Sequence, residues 1–455
     1  MTTKSEQAVY TLVVGLGKTG LSVVRYLRAL GEAVIVVDSR DIPPGLSILK
    51  NEYPDVEYFT GDFDVKLFVA AHRIIVSPGV ALSVPSLVAA KNNNIEIIGD
   101  IDLFAHEAAA PVIGITGSNG KSTVTTLLAL MASQTGKNAV ASGNIGLPVL
   151  DALNDDVDLY VLELSSFQLE SLQRLPMKAA VVLNISEDHL DRYKNIVAYA
   201  MSKQVIYENA EILVLNKDDR LANHSEAGSY AGISNKQIQF TLNIPEENEF
   251  GICEVNNIKS LHFGKTKLID VDQLKLKGSH NIQNALAALA LGYACGLPIE
   301  GMLETLKTFK GLPHRTQFVA EINGVNWIND SKATNVGAAV AALVGLPGKH
   351  VLIAGGEAKG ANFSELADAI QKHCRAVVLF GKDAGKIQSA LPDSLIVENA
   401  VDMQTAVQFA ASLAQAGDNV LLAPACASFD MFDNFEHRGE VYIRSVEALQ
   451  QEVQS

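Results

Sequence analysis

The run Val112-Ile113-Gly114-Ile115-Thr116-Gly117-Ser118-Asn119-Gly120-Lys121-Ser122-Thr123 joins a β-branched stretch to a glycine-rich turn. Val124-Thr125-Thr126-Leu127-Leu128 then opens a helical pattern. Strand, glycine loop and helix N-terminus make a phosphate site, because glycines let N–H groups turn inward and the helix dipole favours negative charge. Lys121 can reach the terminal phosphates, and the Ser122 hydroxyl can hold Mg²⁺. The pattern G-x-x-x-x-G-K-[ST] requires glycine at 115, where Ile115 stands, so adenylate-kinase-like and GTPase-like loops fit less well. The shorter T-G-[ST]-N-G-K-[ST] fits residue for residue. ATP is the expected ligand.

A second glycine turn, Gly15-Leu16-Gly17-Lys18-Thr19-Gly20, follows the first apolar strand, and Asp38 ends the next one. This is the dinucleotide fingerprint, in which glycines admit a diphosphate and a carboxylate accepts ribose hydroxyls. Such a turn serves an NAD-dependent oxidoreductase, a UDP-substrate enzyme, or packing alone. A diphosphate site and an ATP loop in separate domains favour a nucleotide sugar plus ATP over redox chemistry. Arg40, beside Asp38, suits uridine or phosphate, or is a solvated charge.

Two further polar turns follow apolar strands. Leu159-Tyr160-Val161-Leu162-Glu163 delivers a carboxylate to the C-terminal edge of a sheet, where ligands of α/β proteins sit. Glu163 can complete a Mg²⁺ site begun by Ser122, since Mg²⁺ prefers oxygen ligands and keeps several waters. His189 lies in the turn Asn184-Ile185-Ser186-Glu187-Asp188-His189 at the same edge. Lys203, in Ala200-Met201-Ser202-Lys203-Gln204, reads from spacing as an ordinary solvated helix lysine.

These residues need strands to carry them, and short apolar strands alternating with helical patterns predict α/β architecture with parallel sheets. One series runs from Val9 to Ile98, a second from Val112 to Leu215, and a third opens near Gly324. From about Gln237 to Leu276 short strands alternate without helices, which predicts a small antiparallel sheet appended to the middle domain. Lys310-Gly311-Leu312-Pro313-His314 reads as a linker. The expected partition is 1–106, 107–312 and 313–455, in keeping with a length of 455 residues, too great for one core. A net charge of −15 argues against nucleic acid as the main partner. No apolar run reaches the length of a membrane span, and the polar start Met1-Thr2-Thr3-Lys4-Ser5-Glu6-Gln7 lacks the core of a signal peptide. Four scattered cysteines, Cys253, Cys295, Cys374 and Cys426, point to reduced thiols in a cytoplasm, each expected to be a small buried hydrophobe.

The segments TGSNGKST (116–123), ELSSFQL (163–169), NISEDHLDRY (184–193), SHNIQNALAAL (279–289), LPHRTQ (312–317), NDSKATN (329–335) and LAPACASFDMFDNFEHRG (422–439) occur in the order found in the Mur ligases of peptidoglycan synthesis. The chain resembles that family from Gly15 through Arg438. The resemblance implies a Rossmann-like UDP-binding domain, a central P-loop ATPase-like domain and a Rossmann-like C-terminal domain. It implies a cytoplasmic monomer that phosphorylates the carboxylate of UDP-N-acetylmuramoyl-L-alanine with ATP and joins D-glutamate to it through an acyl phosphate and a tetrahedral intermediate.

By matching positions, the resemblance implies ATP phosphates on Gly117, Ser118, Asn119, Gly120, Lys121, Ser122 and Thr123, with Asn284, Arg315, Asp330 and Lys332 also on the nucleotide. On spacing alone Asn284 reads as a helix cap or a solvent-facing helix residue and Arg315 as a linker charge; the ordered set of motifs overrides both readings. Ser122 and Glu163 should hold one Mg²⁺, and His189 and Lys203, the latter as a carbamate, a second. Lys121, Glu163, His189 and Lys203 form the implied catalytic set; a mere nucleotide-binding regulator needs no such charge system. Thr19, Ser39, Arg40, Asn144 and His189 match UDP-substrate positions, and the role of the Lys18 side chain stays open. Thr334, Lys359, Ser428 and Phe429 match D-glutamate positions, where a cation and hydroxyls suit two carboxylates. The third domain is expected to swing near Gly311 and close over ATP.

Overall fold

Runs of Val, Ile and Leu bounded by glycine or polar turns form the strands of three sheets, each covered by helices. A computed structural model of the chain describes residues 9–189, 192–223, 236–276 and 278–454. The polar start at 1–7 therefore lies outside the described residues, as do Leu190 and Asp191 of the histidine turn.

The first sheet contains β1 (Thr11–Val14), β2 (Val34–Asp38), β3 (Glu57–Thr60), β4 (Arg73–Val76) and β5 (Glu96–Ile98), all parallel, in the order β3-β2-β1-β4-β5. The order reverses beside β1, and the glycine turn follows it. A Cβ on Gly20 would stand 1.9 Å from the Gly15 carbonyl oxygen, so that glycine is fixed by packing. Around Gly17 there is open space.

Among the described residues the central sheet has nine strands: β6 (Val112–Thr116), β7 (Ala139–Gly143), β8 (Leu159–Glu163), β9 (Met177–Val182), β10 (Ala210–Asn216), β11 (Lys236–Phe240), β12 (Glu249–Val255), β13 (Ile258–Phe263) and β14 (Thr266–Asp270). Their order is β14-β13-β12-β11-β10-β9-β6-β8-β7. The strands after Gln237 do not stand apart as a separate sheet. β11 pairs parallel with β10 and β12 parallel with β11; only β13 and β14 are added antiparallel. The reason is a shared core: Ile238, Phe240, Phe250 and Leu261 join the cluster that helices Lys121–Gln134 and Ser279–Ala294 bury against the sheet. Apolar burial of that kind, about 1.5–3 kcal/mol per large side chain, outweighs any preference for a detached hairpin.

The third sheet holds β15 (Gln317–Ile322), β16 (Val325–Asn329), β17 (His350–Gly355), β18 (Cys374–Phe380), β19 (Ile396–Asn399) and β20 (Asn419–Leu422). The order is β15-β16-β20-β17-β18-β19, parallel except for the β15–β16 hairpin. Trp327, the one tryptophan of the sequence, is buried in its core beside Tyr442 of helix Phe435–Gln454. Cys374 and Cys426 are buried as expected, whereas Cys253 and Cys295 are partly exposed, because β12 at Cys253 has run past its pairing with β11 and Cys295 caps the C-terminus of its helix. Among the described residues no helix is long and apolar enough to cross a membrane.

The first two domains share one continuous apolar cluster, with Phe104 edge-on to Tyr160 at 5.0 Å. Asp102 ties them further by accepting the Gln173 and Arg174 N–H groups at 2.8 and 3.1 Å.

Candidate active site

β6 ends in Thr116, and the chain turns through Gly117 (φ +149°) and Gly120 (φ +85°) into helix Lys121–Gln134. A Cβ at 120 would lie 2.3 Å from Asn284 Oδ1, so the glycine lets helix Ser279–Ala294 seat its amide directly on the loop. The loop is held from the far side by the turn after β9. Asn184 Oδ1 accepts the Asn119 N–H at 2.9 Å, and the Asn184 carbonyl accepts the Ser118 N–H at 2.8 Å. Lys121 Nζ donates to the Gly117 and Ser118 carbonyls at 2.7 and 2.9 Å.

Glu163 closes β8 at the same edge and is 2% exposed. Its Oε1 accepts from Asn144 Nδ2 at 2.9 Å, while Oε2 is buried without a hydrogen-bond partner. An orphaned carboxylate oxygen facing a cleft that Ser122 also lines is a fitting donor for a hard cation. Among the described residues no three His, Cys, Asp or Glu side chains are grouped to hold an ion, so an ion here would draw its other oxygens from phosphate, water or a modified side chain.

Four cations surround Glu163. Arg315, which the sequence left open as a linker charge, donates from Nη2 to Ser122 Oγ at 2.8 Å. Lys332 lies 3.7 Å over the Phe435 ring. Lys203 corrects the reading of a solvated lysine: it is 2% exposed, 4.7 Å from the centre of the Tyr199 ring and 3.4 Å from Thr116 Oγ1. Its helix, Ile196–Gln204, docks that face inward onto β6, which helical spacing does not reveal. Burial, then the Lys121 charge, holds the Lys203 amine well below the ordinary lysine range. Burial likewise lowers Lys121 and Arg315, with Glu163 opposing the shift in each. Burial and Arg315 push Lys332 down to about 8, and burial raises Asp330 to about 6. So many crowded positive charges call for a polyanion.

Among the described residues three spaces open around this centre. A cleft of about 700 Å³ is lined by Thr19, Ser122, Asn144, Glu163, Arg315 and Lys332, with Lys18 at its edge. A cavity of about 80 Å³ lies between the loop and helix Ser279–Ala294, bounded by Gly120, Thr123, Asn284, Arg315, Asp330 and Lys332. Beyond His189 a recess brings Asp188, Thr334, Asn335, Lys359 and Ala425 together. His189 sits in a left-handed turn (φ +54°), its ring edge-on to Phe167 at 4.8 Å. The Asp330–Lys332 turn is fixed by the fully buried Arg438, which donates to Ser331 Oγ (3.0 Å), the Ser331 carbonyl (2.8 Å) and the Cys426 carbonyl (3.1 Å).

Some expected residues are not gathered here. Ser39 and Arg40 follow β2 outside the lining of all three spaces. Asp38 is not the free ribose acceptor its position suggests. Arg40 takes both of its oxygens, at 2.9 and 2.6 Å, and the Leu16 N–H adds a bond at 2.7 Å. That pairing bears equally on a nicotinamide dinucleotide and on a UDP-substrate, since either would present a ribose to the same acid. Ser428 is buried and Phe429 exposed, and neither lines the Lys359 recess. Residues the sequence did not single out include Tyr199, Asn184 and Phe435. Asn184 and Phe435 lie inside the matching segments, but nothing in their spacing marks a contact with the loop or with Lys332.

Family models match the three domains in turn. Residues 9–99 match the Mur ligase MurD-like N-terminal domain, 115–292 the Mur ligase middle domain, and 314–426 the Mur ligase glutamate ligase domain. The chain is 49% identical over 444 residues to proteins of Pseudomonas fluorescens and Pseudomonas aeruginosa, covering 97% of this chain and 98% of each relative. A protein of Nitrosococcus oceani is 48% identical over 445 residues, covering 97% of both. All three are named UDP-N-acetylmuramoylalanine–D-glutamate ligase. Among solved structures, the fold is similar to a pseudomurein peptide ligase type C from Methanothermus fervidus (TM-score 0.60, 21% identity, 97% of this chain and 100% of that one). It is equally similar to the UDP-N-acetylmuramate-alanine ligase from Thermotoga maritima (TM-score 0.60, 17% identity, 97% and 99%). With an ATP-type phosphate loop, three matching domains and near full-length relatives, the chain belongs to the Mur ligases, ATP-dependent ligases of peptidoglycan precursor synthesis.

Proposed function

We propose that the chain joins D-glutamate to UDP-N-acetylmuramoyl-L-alanine at the expense of ATP. The observation that carries the reading is the group of four cations, Lys121, Lys203, Arg315 and Lys332, crowded about Glu163 at the phosphate loop. A carboxylate is a poor electrophile, so a phosphoryl group must first turn it into an acyl phosphate, and that step brings two anions together. Fixed positive charge offsets their repulsion and stabilises the charge of the transferring group.

A carboxylate oxygen of the UDP-substrate attacks the γ-phosphorus, the bond to the β-phosphate oxygen breaks, and ADP leaves. The D-glutamate nitrogen then adds to the acyl carbon. The tetrahedral intermediate loses inorganic phosphate as the nitrogen gives up its proton, leaving the amide. In this scheme Gly117, Ser118, Asn119, Gly120, Lys121, Ser122 and Thr123 cradle the ATP phosphates. Asn284, Arg315, Asp330 and Lys332 bound the rest of the nucleotide. Thr19 and Asn144 line the large cleft on the UDP-substrate side, with Ser39 and Arg40 further out and His189 near the reacting end. Thr334 and Lys359 receive D-glutamate, with Ser428 and Phe429 nearby in sequence to the recess.

Ser122 and the unpaired Glu163 oxygen would hold one Mg²⁺. His189 and a carbamate of Lys203 would hold a second, both flanking the Tyr199 ring. Bound Mg²⁺ would add positive charge between carboxylate and phosphate. The depressed Lys203 amine supports carbamate formation, because only the neutral amine adds to carbon dioxide. The enzyme is proposed to act as a cytoplasmic monomer.

The test is phosphate release by purified protein given ATP, UDP-N-acetylmuramoyl-L-alanine and either D-glutamate, L-glutamate or meso-diaminopimelate. Release should require the UDP-substrate and D-glutamate together; release indifferent to either substrate rejects the proposal.

A further inference from the structure

The first turn of helix Val336–Gly345, in the third domain, rests on the phosphate loop of the second. Asn335 caps that helix, its Oδ1 accepting the Ala338 N–H at 2.8 Å. The same side chain's Nδ2 crosses the domain boundary and donates to Asn119 Oδ1 at 3.3 Å and to Asp188 Oδ2 at 3.2 Å. One amide thus ties a helix start in the third domain to the phosphate loop and to the turn that carries His189. Asn335 is 7% exposed, so these bonds are sheltered from water.

A second observation concerns Gly337. A Cβ there would stand 2.7 Å from Ser186 Oγ and 2.8 Å from Ser186 Cβ. A new rotamer of Ser186 cannot relieve contact with its own Cβ, so only glycine allows the helix to come this close. Ser186 in turn accepts from Asn119 Nδ2 at 3.2 Å, and its N–H donates to Ser118 Oγ at 2.9 Å. Asn119 is therefore held by Asn184 and Ser186 from its own domain and by Asn335 from the next.

We infer that Asn335 and Gly337 form a latch that registers the seating of the third domain on the phosphate loop. Closure over the nucleotide aligns Asn119 and Asp188 only when the Asn335 amide arrives between them, and the bare Gly337 sets the distance. Both are positioning residues. The inference rests on the ligase reading given above. Gly337 separates latch from ligand contact, because Asn335 also borders the Lys359 recess whereas Gly337 does not.

The experiment compares the full-length protein with Asn335→Asp, Gly337→Ala, and Gly337→Ala combined with Ser186→Gly. The readouts are thermal midpoint, UDP-N-acetylmuramoyl-L-alanine affinity, kcat and KM for D-glutamate, and small-angle scattering with and without Mg-ATP plus the UDP-substrate. Asp caps helices as well as Asn, so Asn335→Asp keeps the fold but turns a donor into a carboxylate facing Asp188. It should lose compaction and about 10- to 100-fold in kcat/KM for D-glutamate, the scale of one or two sheltered hydrogen bonds. Alanine forms helix better than glycine, so Gly337→Ala should hold or raise the thermal midpoint while kcat/KM falls about 10-fold. Adding Ser186→Gly should recover part of that loss, and all variants should bind the UDP-substrate like the parent. Parental compaction and kinetics in both single variants would overturn the latch. So would a midpoint in Gly337→Ala that falls together with activity, since the contact is then only structural. A parent protein that compacts yet releases no phosphate would instead count against the ligase reading.

Discussion

Lys332 is charged where charge is disfavoured, and removing that charge should stabilise the protein while weakening its hold on ATP. Burial and the neighbouring Arg315 push its ammonium from the ordinary 10.5 to about 8. That gap corresponds to roughly 3 kcal/mol spent at neutral pH in keeping the proton on the folded chain. Attraction to the Phe435 ring at 3.7 Å returns about 1–2 kcal/mol. Lys332→Met keeps the apolar stem, loses both effects, and should raise the stability of nucleotide-free protein by about 1–2 kcal/mol at pH 7. Between pH 8 and 10.5 the folded lysine is neutral while the unfolded one is still protonated, so parent stability climbs with pH across that window. The advantage of the variant is therefore full below pH 8, shrinks above it and is gone by pH 10.5. Mg-ATP should reverse the order by stabilising the parent more, since a polyphosphate compensates the charge that the variant lacks. Scanning calorimetry at pH 7 and pH 9.5, with and without Mg-ATP, measures all four states. A variant less stable than the parent at pH 7, or an advantage that grows with pH, refutes the reasoning.

Three other outcomes are expected. Lys121→Ala should reduce turnover by about a thousandfold or more, with UDP-substrate affinity by calorimetry little changed, because its ammonium serves only the phosphate side of the cleft. Lys203→Ala should be nearly inactive and partly restored by formate or acetate in the assay; an untroubled variant would remove the carbamate from the proposal. Arg438→Ala should cost the third domain about 3–5 kcal/mol in urea unfolding, since it strands the buried carbonyls of Ser331 and Cys426 and frees the turn that carries Lys332.

The legible parts of this protein are those whose chemistry is local. Gly117 to Thr123 make their site within seven consecutive residues, so the strand before and the helix after sufficed to recognise it. Glu163 was legible because the end of an apolar strand has a known place in an α/β sheet. Lys203 was not, since its burial depends on Tyr199 and Thr116 meeting across a helix and a strand far apart in sequence. Arg315 and Ser122 form one hydrogen bond from two domains, and no pattern within either domain implies it. Asp38 had the right place for a ribose, but its neighbour Arg40 took its oxygens. The short strands after Gln237 were legible as strands, but that pattern carries no information about the direction of the strand alongside β11, and the shared core under helix Ser279–Ala294 decided that.

The lone indole of the chain sits at the heart of the third sheet, against Tyr442 and away from both other cores. Emission excited at the long-wavelength edge of the indole band, where tyrosine scarcely absorbs, therefore reports on one domain only (roughly the C-terminal third of the chain). Far-ultraviolet dichroism sums over all three. If the two signals part company during denaturation, the glutamate-ligase domain is opening independently of its neighbours, and the protein supplies its own probe for that event without any added dye.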